Sequence, residues 1–81
     1  MEPRELFALL REHADPEVGA QMSAYMRGKF PFLGVPSPVR KALCREFFRT
    51  ARRAGAVDWA FVDDCWQAEH REFQYVAADY L

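Results

Sequence analysis

At 81 residues the chain is one small domain or a piece of a larger one, and with 51% apolar and 15% aromatic residues it is globular, not disordered. No run approaches the ~20 apolar residues that span a bilayer, the charged N-terminus is no signal peptide, and Cys44 and Cys65 stand at no metal-ligand spacing. The net charge of −1 hides a division: from Arg27 to Arg53 eight cations face Glu46 alone, giving +7, while the rest of the chain sums to −8. Such asymmetry points to an anionic partner for the middle segment.

A first helix is predicted over 3–13. Leu6, Leu9, Leu10 and His13 recur at helical spacing, and Pro3 suits a first turn. Asp15-Pro16 reads as a cap followed by a first-turn proline, opening a second helix over 16–27. Its apolar positions are Val18, Met22, Tyr25 and Met26, and Gly28 is placed to stop it. Residues 29–36 form a loop, because Pro31 and Pro36 bias the residues before them away from helix. Phe30, Phe32, Leu33 and Val35 are too apolar for a free loop and are expected to plug the core.

Ser37-Pro38 repeats the cap-plus-proline signature and opens the longest helix, 38–54. Val39, Leu43, Phe47, Thr50 and Ala54 mark its expected core face, with Lys41, Arg45, Arg49 and Arg52 opposite. Gly55 closes it. Asp58 caps a fourth helix over 59–66, with Trp59, Val62 and Trp66 as the expected buried stripe. A fifth, over 70–81, carries Phe73, Val76, Ala77 and Tyr80. Its pattern is still helical at Leu81, so the chain reads as truncated, with Val76, Ala77, Tyr80 and Leu81 short of cover and prone to self-association. There is no strand signal. The fold class is all-α, either a small bundle or the first units of an α-solenoid, and the open C-terminus favours the solenoid. Both cysteines fall on predicted helices and read as buried free thiols of a reducing compartment.

Residues 22–43, MSAYMRGKFPFLGVPSPVRKAL, and 71–81, REFQYVAADYL, resemble the N-terminal portion of the DNA alkylation repair enzyme family, the AlkD-like glycosylases. The shared features are Tyr25-Met26, the basic Arg27, the run from Phe30 to Arg40, and Arg71-Glu72-Phe73-Gln74. The resemblance implies a right-handed stack of HEAT-like repeats. Residues 1–81 would be the N-terminal part of a single such domain. It implies release of cationic alkylated purines, such as 3-methyladenine and 7-methylguanine, from duplex DNA, without a cofactor or a metal. It also implies a cytoplasmic, nucleoid-associated protein. The family's catalytic aspartate and its tryptophans lie beyond the segment that resembles 71–81. No catalytic residue is therefore expected here, and Trp59 and Trp66 do not stand in for them.

Of the family's active-site aromatics only Tyr25 has a match. It is either a lesion-groove aromatic or a core tyrosine on the second helix's apolar stripe. Arg27, Lys29 and Arg40, near the proline loop, are candidates for phosphate contact. Lys41 and Arg45 join them from the cationic stripe, for which a solvated helix face is the plainer reading. His13 and His70 read as surface or cap residues. Asp63 and Asp64 with Glu69 and Glu72 could suggest paired carboxylates, but Glu69 and Glu72 read equally well as acidic helix starts favoured by the macrodipole, and no acid–base role is expected of the group. The rival to a glycosylase segment is a non-enzymatic α-solenoid module that binds nucleic acid or protein. A compact helix-turn-helix regulator is disfavoured, because no turn leads into a helix rich in base-reading side chains.

Overall fold

The computed structural model describes all residues, 1–81, and contains five α-helices and no strand. They are α1 (Pro3–Glu12), α2 (Pro16–Tyr25), α3 (Ser37–Ala54), α4 (Trp59–Gln67) and α5 (Arg71–Tyr80). Local chemistry accounts for most of the boundaries. Asp15 caps α2, its Oδ1 accepting from the amides of Glu17 and Val18, and Asp58 caps α4 through the Phe61 amide. Gly55 ends α3 in the left-handed conformation. Ser37 departs from expectation. It is the first residue of α3 and makes no cap bond; its hydroxyl instead accepts a long bond from Arg40.

α4 packs on α5, and α3 packs against both α1 and α5. The core is aromatic at its centre. Phe7 meets Phe73 at 4.7 Å between ring centroids, Phe47 meets Phe61 at 4.8 Å, and Phe61 meets Tyr80 edge-on at 5.0 Å. Leu6, Leu10, Val35, Val76 and the two free cysteines complete it. Burial pushes the Cys44 thiol up to about 11, the Arg40 charge opposing and Asp79 adding to the shift. Burial likewise pushes Cys65 up to about 12, with Asp64 contributing. Gln74 reaches back from α5 and donates to the carbonyls of Cys65 and Ala68, satisfying the open end of α4.

Three expected faces are rotated. α3 buries Arg40 and Cys44, with Leu43, Phe47 and Phe48 half-buried, while Val39, Thr50 and Ala54 are exposed. α4 buries Phe61, Val62 and Cys65, and leaves Trp59 and Trp66 in solvent. α2 fully buries only Gly19; of its expected stripe Val18, Met22 and Met26 are half-buried and Tyr25 is exposed. Of the four residues expected to lack cover, Val76 and Ala77 are fully buried and Tyr80 is half-buried, while Leu81 is exposed as expected; Trp59 and Trp66 add exposed apolar surface that was not expected.

Candidate nucleic-acid interface

The proline loop is fixed by one buried carboxylate. Glu72, in the first turn of α5, is fully buried. Its Oε1 accepts from the Leu33 amide at 2.9 Å, and its Oε2 accepts from Gly34 at 2.9 Å and Val35 at 3.1 Å. Charge-assisted bonds of this kind are about twice as strong as neutral ones, and they supply partners for three amides that a loop cannot pair with itself. Two backbone bonds complete the clamp: Asp15 N–H donates to Leu33 C=O, and Arg71 N–H to Pro31 C=O. Gly34 has φ +92°, and a Cβ there would collide with the Asp15 carbonyl oxygen. The loop is thereby pressed between the starts of α2 and α5.

Immediately before it, the chain is open. α2 ends at Tyr25, and Arg27 takes φ +59°, an uncommon conformation for a non-glycine residue that costs about 1–3 kcal/mol. Tyr25 is 88% exposed, which removes the core alternative for this residue. Tyr25, Met22, Met26, Phe32, Ser37 and Tyr75 line a shallow depression of about 290 Å³. No charged side chain lines it. Arg27 and Lys29 are exposed on the turn beside it.

The five cations expected to meet phosphate divide. Arg27, Lys29, Lys41 and Arg45 are exposed, and none has an acidic partner. Arg40 is 6% exposed and is held inside the fold. Its guanidinium pairs with Asp79 at 3.0 Å and lies 5.2 Å from the Tyr75 ring centroid. Arg71 lies 5.4 Å from that centroid and 4.2 Å from Phe30. Further along α3, Arg49 pairs with Glu46. Glu72, Tyr75 and Asp79 share one face of α5 at spacings of three and four residues, and this polar face is turned to the loop and to Arg40. No three His, Cys, Asp or Glu side chains cluster as a metal site. No helix is long and apolar enough to cross a membrane.

These features define a small all-α protein with an exposed tyrosine at the rim of a shallow depression and several exposed, unpaired cations. The family model of the DNA alkylation repair enzymes matches residues 6–81, and the chain belongs to that family. A solved structure of a predicted DNA alkylation repair enzyme from Enterococcus faecalis is similar at a TM-score of 0.72 and 34% identity. The match covers 83% of this chain and 32% of that one, so this chain spans less than half of the relative's length. No curated protein matches it.

Proposed function

We propose that this chain is the N-terminal part of a HEAT-like stack in a DNA glycosylase that releases cationic alkylated purines, 3-methyladenine and 7-methylguanine, from duplex DNA. Tyr25, Arg27, Lys29, Lys41 and Arg45 belong to its DNA groove. The supporting observation is Tyr25, an exposed aromatic beside a strained, unpaired arginine. Such residues serve contact with something outside the fold more readily than they serve its stability. An alkylated purine leaves readily because it is already charged. The protein has chiefly to stabilise positive charge developing on the sugar and to admit water, and an exposed aromatic face with phosphate contacts suits the first task. No carboxylate lines the depression, and on this reading the chain contributes DNA contacts to the longer protein's groove.

The test pairs binding with base release. The 81-residue chain binds alkylated and undamaged duplex weakly, without sequence preference, and releases no 7-methylguanine. A longer chain carrying the remaining helices releases it, and Tyr25→Ala in that chain lowers release while Tyr25→Phe retains most of it. Release by the 81 residues alone would show that the catalytic groups lie within them. The absence of a carboxylate from the depression also suits the second reading, a non-enzymatic nucleic-acid-binding module. A longer chain that binds duplex and never releases base would establish it.

A further inference from the structure

Two guanidiniums cover the Tyr75 ring, and the fold treats them differently. Arg40 lies 5.2 Å from the ring centroid and Arg71 5.4 Å. Arg40 is neutralised within the fold, where its Nη2 donates to Asp79 at 3.0 Å. Arg71 has no acidic partner, since neither ion pair of the structure involves it. The carboxylate next to it in sequence, Glu72, is taken up by the amides of Leu33, Gly34 and Val35. The Arg71 Nε is buried without a partner, and the residue as a whole is half-buried, so the Nη end is the part that reaches solvent.

The side chain is nevertheless held in place. Its guanidinium lies 4.2 Å from the Phe30 ring centroid, and its backbone N–H donates to Pro31 C=O at 2.8 Å. Phe30 directly follows Lys29, which sets this fixed guanidinium beside the turn that exposes Arg27 and Lys29. A cation that is partly desolvated and left without a counter-ion contributes little to stability. It is well suited to an anion from outside. The planar guanidinium fork matches the oxygens of a phosphate, and a fork already oriented by two rings loses little rotamer freedom when the anion arrives.

We propose that Arg71 is a pre-positioned phosphate-binding residue of the DNA groove, its Nη donors taking the non-bridging oxygens of one backbone phosphodiester while Phe30 and Tyr75 support it. The proposal rests on the DNA-groove reading and adds to it a cation that is fixed, where Arg27 and Lys29 are free. It gives Tyr75 the task of holding a cation and not of meeting the DNA.

The experiment measures duplex affinity of the 81-residue chain against salt, and follows modification of its arginines by phenylglyoxal, with and without duplex, by mass spectrometry. Arg71→Gln flattens the slope of log affinity against log salt by about 0.9, the contribution of one phosphate contact. Arg71→Lys keeps the slope, because the charge stays, and binds several-fold more weakly, because the fork is lost. The modification experiment uses the unaltered chain, so it decides even where Arg71→Gln fails to fold. Bound duplex slows modification of Arg71 several-fold and leaves Arg4, exposed on α1, unprotected. A folded Arg71→Gln with the unaltered slope refutes the proposal, and so does an Arg71 that is modified equally with and without duplex or not at all; the arginine is then only a support of the loop. If Arg27→Glu flattens the slope and Arg71→Gln does not, this assignment alone fails. If the unaltered chain binds no duplex, the DNA-groove reading fails and the proposal with it.

Discussion

Residues 25–29 and residues 31–35 are neighbours in the chain and are held in opposite ways. In the second segment, three consecutive amides end on the Glu72 carboxylate and two further backbone bonds tie the loop to α2 and α5. In the first segment, Tyr25, Arg27 and Lys29 stand in solvent, with a left-handed backbone at Arg27. The fold therefore concentrates its polar order directly behind the surface that is free to bind. A rigid support under an exposed contact residue reduces the ordering cost when a partner arrives.

The largest effect that sharpens this contrast is expected at Glu72. Glu72→Ala leaves three buried amides without an acceptor at about 1–3 kcal/mol each, a sum comparable with the whole stability of a chain this small. The cooperative thermal transition seen by circular dichroism should be lost. A melting temperature that stays put would show that the loop is held by something else.

Gly34 and Gly28 offer an internal comparison, since both have positive φ. Nothing stands where a Cβ on Gly28 would point, so Gly28→Ala costs about 1 kcal/mol from backbone strain. Gly34→Ala adds a collision with the Asp15 backbone and should cost several times as much, measured by urea unfolding. Equal costs would mean that the loop yields easily and is not clamped.

Arg40 and Lys41 extend the comparison to adjacent residues on α3. Arg40→Met strands Asp79, whose side chain keeps 34% of its exposure and so remains partly hydrated. A loss of about 1–3 kcal/mol is expected, below the cost of breaking a fully buried pair. Lys41→Met should change stability by less than about 0.5 kcal/mol. Urea midpoints of the two variants decide the matter, and a silent Arg40→Met would place Arg40 among the surface cations.

A smaller effect concerns pH. Burial holds Cys44 at about 11 and Cys65 at about 12, against an ordinary 9.0. The unfolded chain ionises first, so this stability is fully present below pH 9.0 and is lost as pH rises towards 11 and 12. The melting temperature should fall across that window, and Cys65→Ala should fall less steeply from its own starting value. An equal slope in the variant would assign the alkaline loss to other groups.

Four of the five helices were legible because a proline or an Asp cap marks their starts, and α5 from its apolar periodicity alone; the structure moves each end by two residues or fewer. Of the apolar loop expected to plug the core, Leu33 and Val35 do so, whereas Phe30 and Phe32 stop half-buried outside it, Phe30 against the Arg71 guanidinium and Phe32 at the shallow depression. What lies between was not legible. Glu72 looks like any acid in a first turn, and only the tertiary fold brings three amides 37 to 39 residues away in sequence onto it. Arg40 falls one position from the apolar series on α3, and its partner Asp79 is again 39 residues off. Trp59 and Trp66 fit a buried stripe by spacing, yet Phe61 and Cys65 fit as well and are the residues the core accepts. Tyr75 lies off the apolar stripe of α5 and had no signal of its own. It shares a helix face with Glu72 and Asp79, which is read as solvated until the loop is placed upon it.

Under the proposed function, the exposed cations bind phosphate and the buried Arg40 does not. The slope of log affinity against log salt for duplex DNA tests this directly, because each phosphate contact contributes about −0.9. Arg27→Glu and Lys29→Glu should each flatten the slope by about that amount and leave the melting temperature unchanged. Arg40→Met should lower the melting temperature and keep the slope. If the two exposed variants bind DNA with the unaltered slope while Arg40→Met flattens it, the assignment of inside and outside is wrong.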